Sequence, residues 1–181
     1  PICLHWLNCS AQNVDNDGFY GVRSLANNSA IFVAPQGLNA GWANTNGQDV
    51  QLIDDIRSQI ENALCVDTTQ RFTMGFSYGG AMSFALACAR PNIFRAVAVF
   101  SGAQLSGCSG GNTPVAYLGI HGTNDSVLNI SMGRQLRDKF AGLNGCQSQS
   151  PREPGQGQSQ IKTQYSGCRE GYPVTWIAFS G

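Results

Sequence analysis

Ser77 stands in Gly75-Phe76-Ser77-Tyr78-Gly79, a G-x-S-x-G pattern set between an apolar run and a stretch of small residues. A serine there is a candidate nucleophile if the chain turns so sharply from strand to helix that side chains are excluded two positions before and after it. Such a turn lifts the Ser77 hydroxyl above the carboxyl end of a sheet and aims the amide of Tyr78 at a developing oxyanion. The plain alternative is a serine in a glycine-rich turn. An unaided hydroxyl is a poor nucleophile, so this pattern calls for an acid and then a histidine, in that chain order. Asp125, in "LGIHGTNDSV" at 118–127, is the candidate acid; its other reading is a turn-former ahead of a helix. His121 precedes it on the same loop and reads as structural. The chain has two histidines, His5 and His121, and neither follows the last expected strand. The expectation is therefore a base supplied just beyond "AFSG" at 178–181, with this chain a truncated piece of an active enzyme.

The elements that must position these residues are legible in the apolar spacing. Val50, Ile53, Ile56, Ile60 and Leu64 recur at three and four, with Asp54, Asp55, Arg57 and Glu61 on the other side, which predicts a helix over 49–64 with Asp49 at its start. Strands are expected at 30–37, 71–76, 95–100, 115–120 and 172–179, and further helices at 18–26, 79–89 and near 131–140. Strands alternating with helices predict an α/β fold, a mostly parallel sheet flanked by helices on both faces, in one domain spanning 1–181. "QSQSPREPGQGQSQ" at 147–160 is expected to be surface loop, pinned by a Cys146–Cys168 pair on the strength of position alone.

Composition narrows the class. Only 12% of residues are charged and the formal net charge is zero, so the solvated surface must come from Asn, Gln, Ser, Thr and Gly. No basic patch suggests nucleic acid as a partner, and no apolar stretch has the length of a membrane span. The seven cysteines form no CxxC pair, which argues against a zinc ribbon or thioredoxin chemistry and for an oxidising, secretory compartment. Sequons begin at Asn8, Asn27, Asn124 and Asn129 and permit glycosylation.

From about Gly18 to Gly181 the chain resembles fungal secreted feruloyl esterases, which are related to acetyl xylan esterases and polyhydroxybutyrate-depolymerase-like esterases. The resemblance rests on Gly18-Phe19-Tyr20-Gly21, the Pro35–Trp42 loop, "GFSYGGAMSFALACARP", "VFSGAQLSGC", "HGTNDSVLNISMGRQLRD" and the terminal "TWIAFSG". It implies an α/β-hydrolase, incomplete here at both termini, with a Ser-Asp-His triad that releases ferulate and related hydroxycinnamates from arabinose on plant cell-wall xylan. On that resemblance Ser77 is the nucleophile and Asp125 the acid, and the histidine follows the Phe179-Ser180-Gly181 ending. Ile2-Cys3-Leu4 would be a remnant strand and His5 the oxyanion-loop histidine, with Trp6 where the family has glycine. Trp42, together with Tyr78, would flank an aromatic acyl group. Neither a metal nor an organic cofactor is implied, and the expected partner is feruloylated arabinoxylan or a small hydroxycinnamate ester, met by a secreted monomer. The motifs leave three alternatives open: an acetyl or short-acyl esterase, a polyhydroxyalkanoate depolymerase, and a catalytically inactive remnant.

Overall fold

A computed structural model describes residues 1–108 and 110–181. Its centre is a six-stranded sheet in the order β1-β2-β3-β4-β6-β5, with β1 at Ile2–Leu4, β2 at Phe72–Phe76, β3 at Ala96–Phe100, β4 at Ala116–Gly122, β5 at Gln160–Gln164 and β6 at Val174–Phe179. All neighbours run parallel except β5, which is antiparallel to β6. The register aligns Phe76 with Phe100 and Phe100 with Ile120, so the chain leaves β2, β3 and β4 at one carboxyl edge.

Helix α3, Tyr78–Ala89, lies against this sheet and is buried from Gly79 to Cys88, which explains why its sequence carries almost no polar residue. It shares a core with α4, Ile130–Leu143, in which Phe84, Val97, Val99, Tyr117, Phe140 and Trp176 meet. Helix α2, Gln48–Ala63, adds a further layer on this side, Val50 and Ile53 packing with Met82, Leu86 and Leu4. On the opposite face a short helix α1, Ala11–Asn16, covers the β1 end through Val14 and Phe19. Beyond it, an apolar cleft of about 670 Å³ runs over Phe72, Met74, Ala98, Leu118 and Ile177.

Four local expectations need correction. Residues 30–37 form no strand; Val33 makes a single bridge to Ile2, bonded on both sides through the Cys3 amide at 2.8 Å and the Pro1 carbonyl at 3.0 Å. Residues 18–26 form no α-helix, because Phe19 and Tyr20 adopt φ of 57° and 58°, and only a 3₁₀ turn at Ser24–Ala26 remains. Helix α1 lies earlier, where Ser10 and Asn13 close a reciprocal capping box. No strand was expected at Gln160–Gln164, yet directly after the 147–159 stretch, which is loop as expected, the chain forms the edge strand β5, whose Ile161 and Thr163 are half-buried while Gln160, Lys162 and Gln164 face solvent. Its alternation is carried by polar residues, so no hydrophobic period announces it.

Asp49 does not cap α2. The Asn44 side-chain oxygen accepts from the amides of Asp49 at 3.1 Å and Val50 at 3.2 Å, while Asp49 Oδ2 accepts from the Asn44 amide at 2.6 Å. Disulfides join Cys88 to Cys108 and, as expected from position, Cys146 to Cys168.

Candidate active site

Ser77 sits at the joint between β2 and α3 with φ 55° and ψ −117°, a conformation that L-residues rarely adopt. Holding it costs on the order of 1–3 kcal/mol, a strain that persists only where surrounding structure enforces it. The Ser77 amide donates to the Phe100 carbonyl at 2.9 Å, and the Ser77 carbonyl accepts from the Ala81 amide at 3.0 Å. The glycines are steric necessities. A Cβ at Gly75 would lie 2.4 Å from the Gly79 backbone, and one at Gly79 would lie 2.0 Å from the Leu4 carbonyl oxygen. Strand β1 therefore presses directly on the first turn of α3, and no side chain fits between them.

Tyr78 is the first residue of α3, so its amide has no acceptor within the helix. With the positive end of the helix dipole behind it, that N–H favours negative charge beside the Ser77 hydroxyl.

Asp125 lies in the loop that follows β4. Its Oδ1 accepts from the amides of Val127 at 2.9 Å and Leu128 at 2.8 Å, which fixes the carboxylate. Oδ2 is 3.6 Å from His121 Nε2, but that nitrogen donates to the Leu128 carbonyl at 2.7 Å. His121 is buried against α4, where a Cβ on Gly133 would meet its Nδ1. It is a structural residue, as expected, and holds the 122–128 loop closed. Ser77 and Asp125 leave the same sheet edge from strands separated by β3, on the order of 10 Å apart by strand spacing. The Gly181 carbonyl, which accepts from the Asn124 amide at 2.5 Å, brings the last residue onto the acid loop.

His5 is equally committed. Its Nδ1 donates to the Trp6 carbonyl at 2.8 Å, and its Nε2 accepts from the Gly37 amide at 3.0 Å. Burial holds its pKa below the ordinary histidine value against the opposing pull of the Trp6 carbonyl, so the ring is neutral. Both histidines of the chain thus serve the frame around the site.

The structure corrects the role expected of Trp42. Its ring is 0% exposed and lies tilted at 38° against His5, centroids 4.8 Å apart, so it offers no face to an acyl group. The indole N–H donates to the His5 carbonyl at 2.8 Å, and the Trp42 carbonyl accepts from Ser106 Oγ at 2.6 Å. Trp42 is a brace that ties together the ends of β1, the 37–44 loop and the loop after β3. Sequence reasoning also missed Tyr20, whose hydroxyl donates to the Leu4 carbonyl at 2.5 Å and accepts from the Phe76 amide at 3.3 Å. The signal was present in the glycines flanking Phe19 and Tyr20, which mark a tight turn, but not what the tyrosine would reach. Among the described residues no group of three or more His, Cys, Asp or Glu side chains converges on a metal position.

Comparison with known proteins places the chain's family and fold. Residues 36–163 match the Phospholipase/Carboxylesterase family model. The chain is 54% identical over 165 residues to feruloyl esterase D of Neurospora crassa, and 52% identical over 183 aligned positions to feruloyl esterase C of Emericella nidulans. These alignments take in 90% and 98% of the chain, which spans 57% and 67% of the two relatives' lengths. Among solved structures, acetyl xylan esterase from Aspergillus awamori superposes with a TM-score of 0.73 at 15% identity, covering 99% of this chain and 81% of that one, a likeness of fold.

Proposed function

From the premise that the chain belongs to the phospholipase/carboxylesterase family of α/β-hydrolases, related to the fungal feruloyl and acetyl xylan esterases, we propose that it is the core of a secreted serine esterase acting on hydroxycinnamate esters of the feruloyl type. The observation that carries this reading is the strained Ser77 turn, its flanking glycines and its free Tyr78 amide at the head of α3. Support for the acyl class comes from the relatives, both named as feruloyl esterases. Plant cell-wall arabinoxylan is the corresponding polymeric partner. The two disulfides fit an extracellular setting.

In this reading Ser77 Oγ attacks the ester carbonyl, and the oxyanion forms against the Tyr78 amide. The sugar alcohol leaves, and water releases the acid from the acyl-enzyme. Asp125, fixed by the Val127 and Leu128 amides, orients a histidine that takes and returns the proton. That histidine comes from outside these 181 residues, because His5 and His121 are both engaged.

The test is labelling with a fluorophosphonate, followed by hydrolysis of methyl ferulate, in the protein from its native source and its Ser77→Ala variant. Label on the peptide carrying Ser77, and a rate loss on the order of 10⁴ or more in the variant, are expected. An unlabelled serine and no turnover would overturn the esterase reading in favour of an inactive remnant. Faster turnover of a small acetate ester than of methyl ferulate would move the assignment to a short-acyl esterase.

A further inference from the structure

Away from Ser77, a cavity of about 700 Å³ lies between α4 and the 146–153 segment. It follows α4 from Arg134 to Gly142, on the order of 12 Å at the helical rise of about 1.5 Å per residue. Its walls are held in place. The Cys146–Cys168 disulfide and the Gln147 amide, which donates to the Ser166 carbonyl at 2.9 Å, anchor the segment at one end. Gln149 Nε2 donates to Ser166 Oγ at 2.8 Å. Farther along, Arg134 forks onto Glu153, Nε and Nη2 donating at 2.7 and 2.6 Å, and ties the segment back to the helix.

Arg137, in the same lining, is only 7% exposed. Its guanidinium lies 5.2 Å from the centre of the Trp176 ring, which orients the charge, and its Nε donates to Asp138 Oδ1 at 2.8 Å. Nη1 and Nη2 have no hydrogen-bond partner among the described residues, and neither is sealed from solvent. Tyr165 lines the cavity too, and its hydroxyl, on a side chain equally buried, is unpaired. A buried guanidinium whose fork is left open is costly unless a group from outside the chain completes it. That open fork matches a carboxylate in shape and charge. Asp138 and Glu153 in the lining repel a dianion such as phosphate and offer acceptors to hydroxyl groups, while Gln147 and Gln149 offer amides. A simple carboxylate leaves most of this volume empty; a polyhydroxylated ring fills it.

We propose that this cavity binds a carboxylate-bearing sugar, a uronic acid, whose carboxylate pairs with the Arg137 fork and whose hydroxyls meet Asp138, Gln147 and Gln149. The cavity shares no lining residue with the Ser77 turn, and the inference stands apart from the esterase reading.

The test is calorimetric titration of the full-length protein with methyl glucuronide, methyl glucoside and inorganic phosphate. Methyl glucuronide is expected to bind about tenfold more tightly than methyl glucoside, the difference made by a charge-assisted pair. Arg137→Gln should abolish that preference. Because this change also removes a stem packed on Trp176, Gly142→Phe is the second variant. A Cβ at Gly142 would meet nothing within 4 Å, so the new ring enters the cavity without displacing the core. It should keep the melting temperature and weaken methyl glucuronide binding about tenfold. Ser77→Ala should bind methyl glucuronide as the parent does. Equal affinity for the two glycosides, tighter binding of phosphate, undiminished binding in Gly142→Phe, or loss of binding in Ser77→Ala each overturns the assignment. Xylo-oligosaccharides bearing a glucuronate side group separate two sources of the ligand, and either result upholds the site. Tighter binding than methyl glucuronide assigns it to an acidic polysaccharide, and equal or weaker binding to the free sugar acid.

Discussion

At His5 a neutral imidazole is clamped between a carbonyl acceptor and an amide donor, with the Trp42 ring tilted against it. Protonating Nε2 would set a proton against the Gly37 N–H. Its pKa is lowered by burial, so the folded state binds this proton less readily than the unfolded chain does. The stability from neutral His5 is therefore complete above the unfolded value of about 6.5 and is lost as pH falls below it toward the depressed folded value. Thermal melts across pH 7.5 to 5 should show a falling melting temperature whose slope flattens in His5→Gln. Parallel slopes in the two proteins would show that the titration lies elsewhere.

At the scale of elements, α2 begins with no side-chain cap from its own N-cap residue and relies on Asn44, four positions before its first residue. Asn44→Ala removes the acceptor for two amides and the donor to the Ser106 carbonyl, while the backbone amide that donates to the Asp49 carboxylate stays. A loss of about 1–2 kcal/mol in chemical denaturation is expected. A loss below about 0.3 kcal/mol would mean that water replaces the cap. The helix body was legible because Val50 and Ile53 keep the period of a buried stripe. The cap was not, because a short polar residue reaches the helix across a turn whose backbone, with Asn44 and Asn46 at φ of 50° and 55°, no periodicity describes.

At the scale of the whole molecule, a parallel sheet is stable when both faces are covered, and here the face over Met74, Ala98, Leu118 and Ile177 is only half covered. The isolated 181-residue chain should bind a hydrophobic dye and show an apparent mass that rises with concentration in light scattering. A dye-silent monomer with a cooperative melt would overturn this expectation.

By itself the sequence determined the order of the central strands and helices, the Ser77 turn and the Asp125 loop. These rest on local rules: an apolar period, glycines where a Cβ cannot fit, an aspartate whose own neighbours supply its amide donors. Only the tertiary structure decided what Trp42, His5 and Tyr20 do. Trp42 and His5 are 37 residues apart, and their bond exists because β1 packs onto the first turn of α3 and brings the 37–44 loop over it. An aromatic residue in a glycine-rich loop carries the same letter whether it faces a ligand or the core. Which of the two it does is set by long-range packing, and burial, unlike periodicity, is not a local property of the chain.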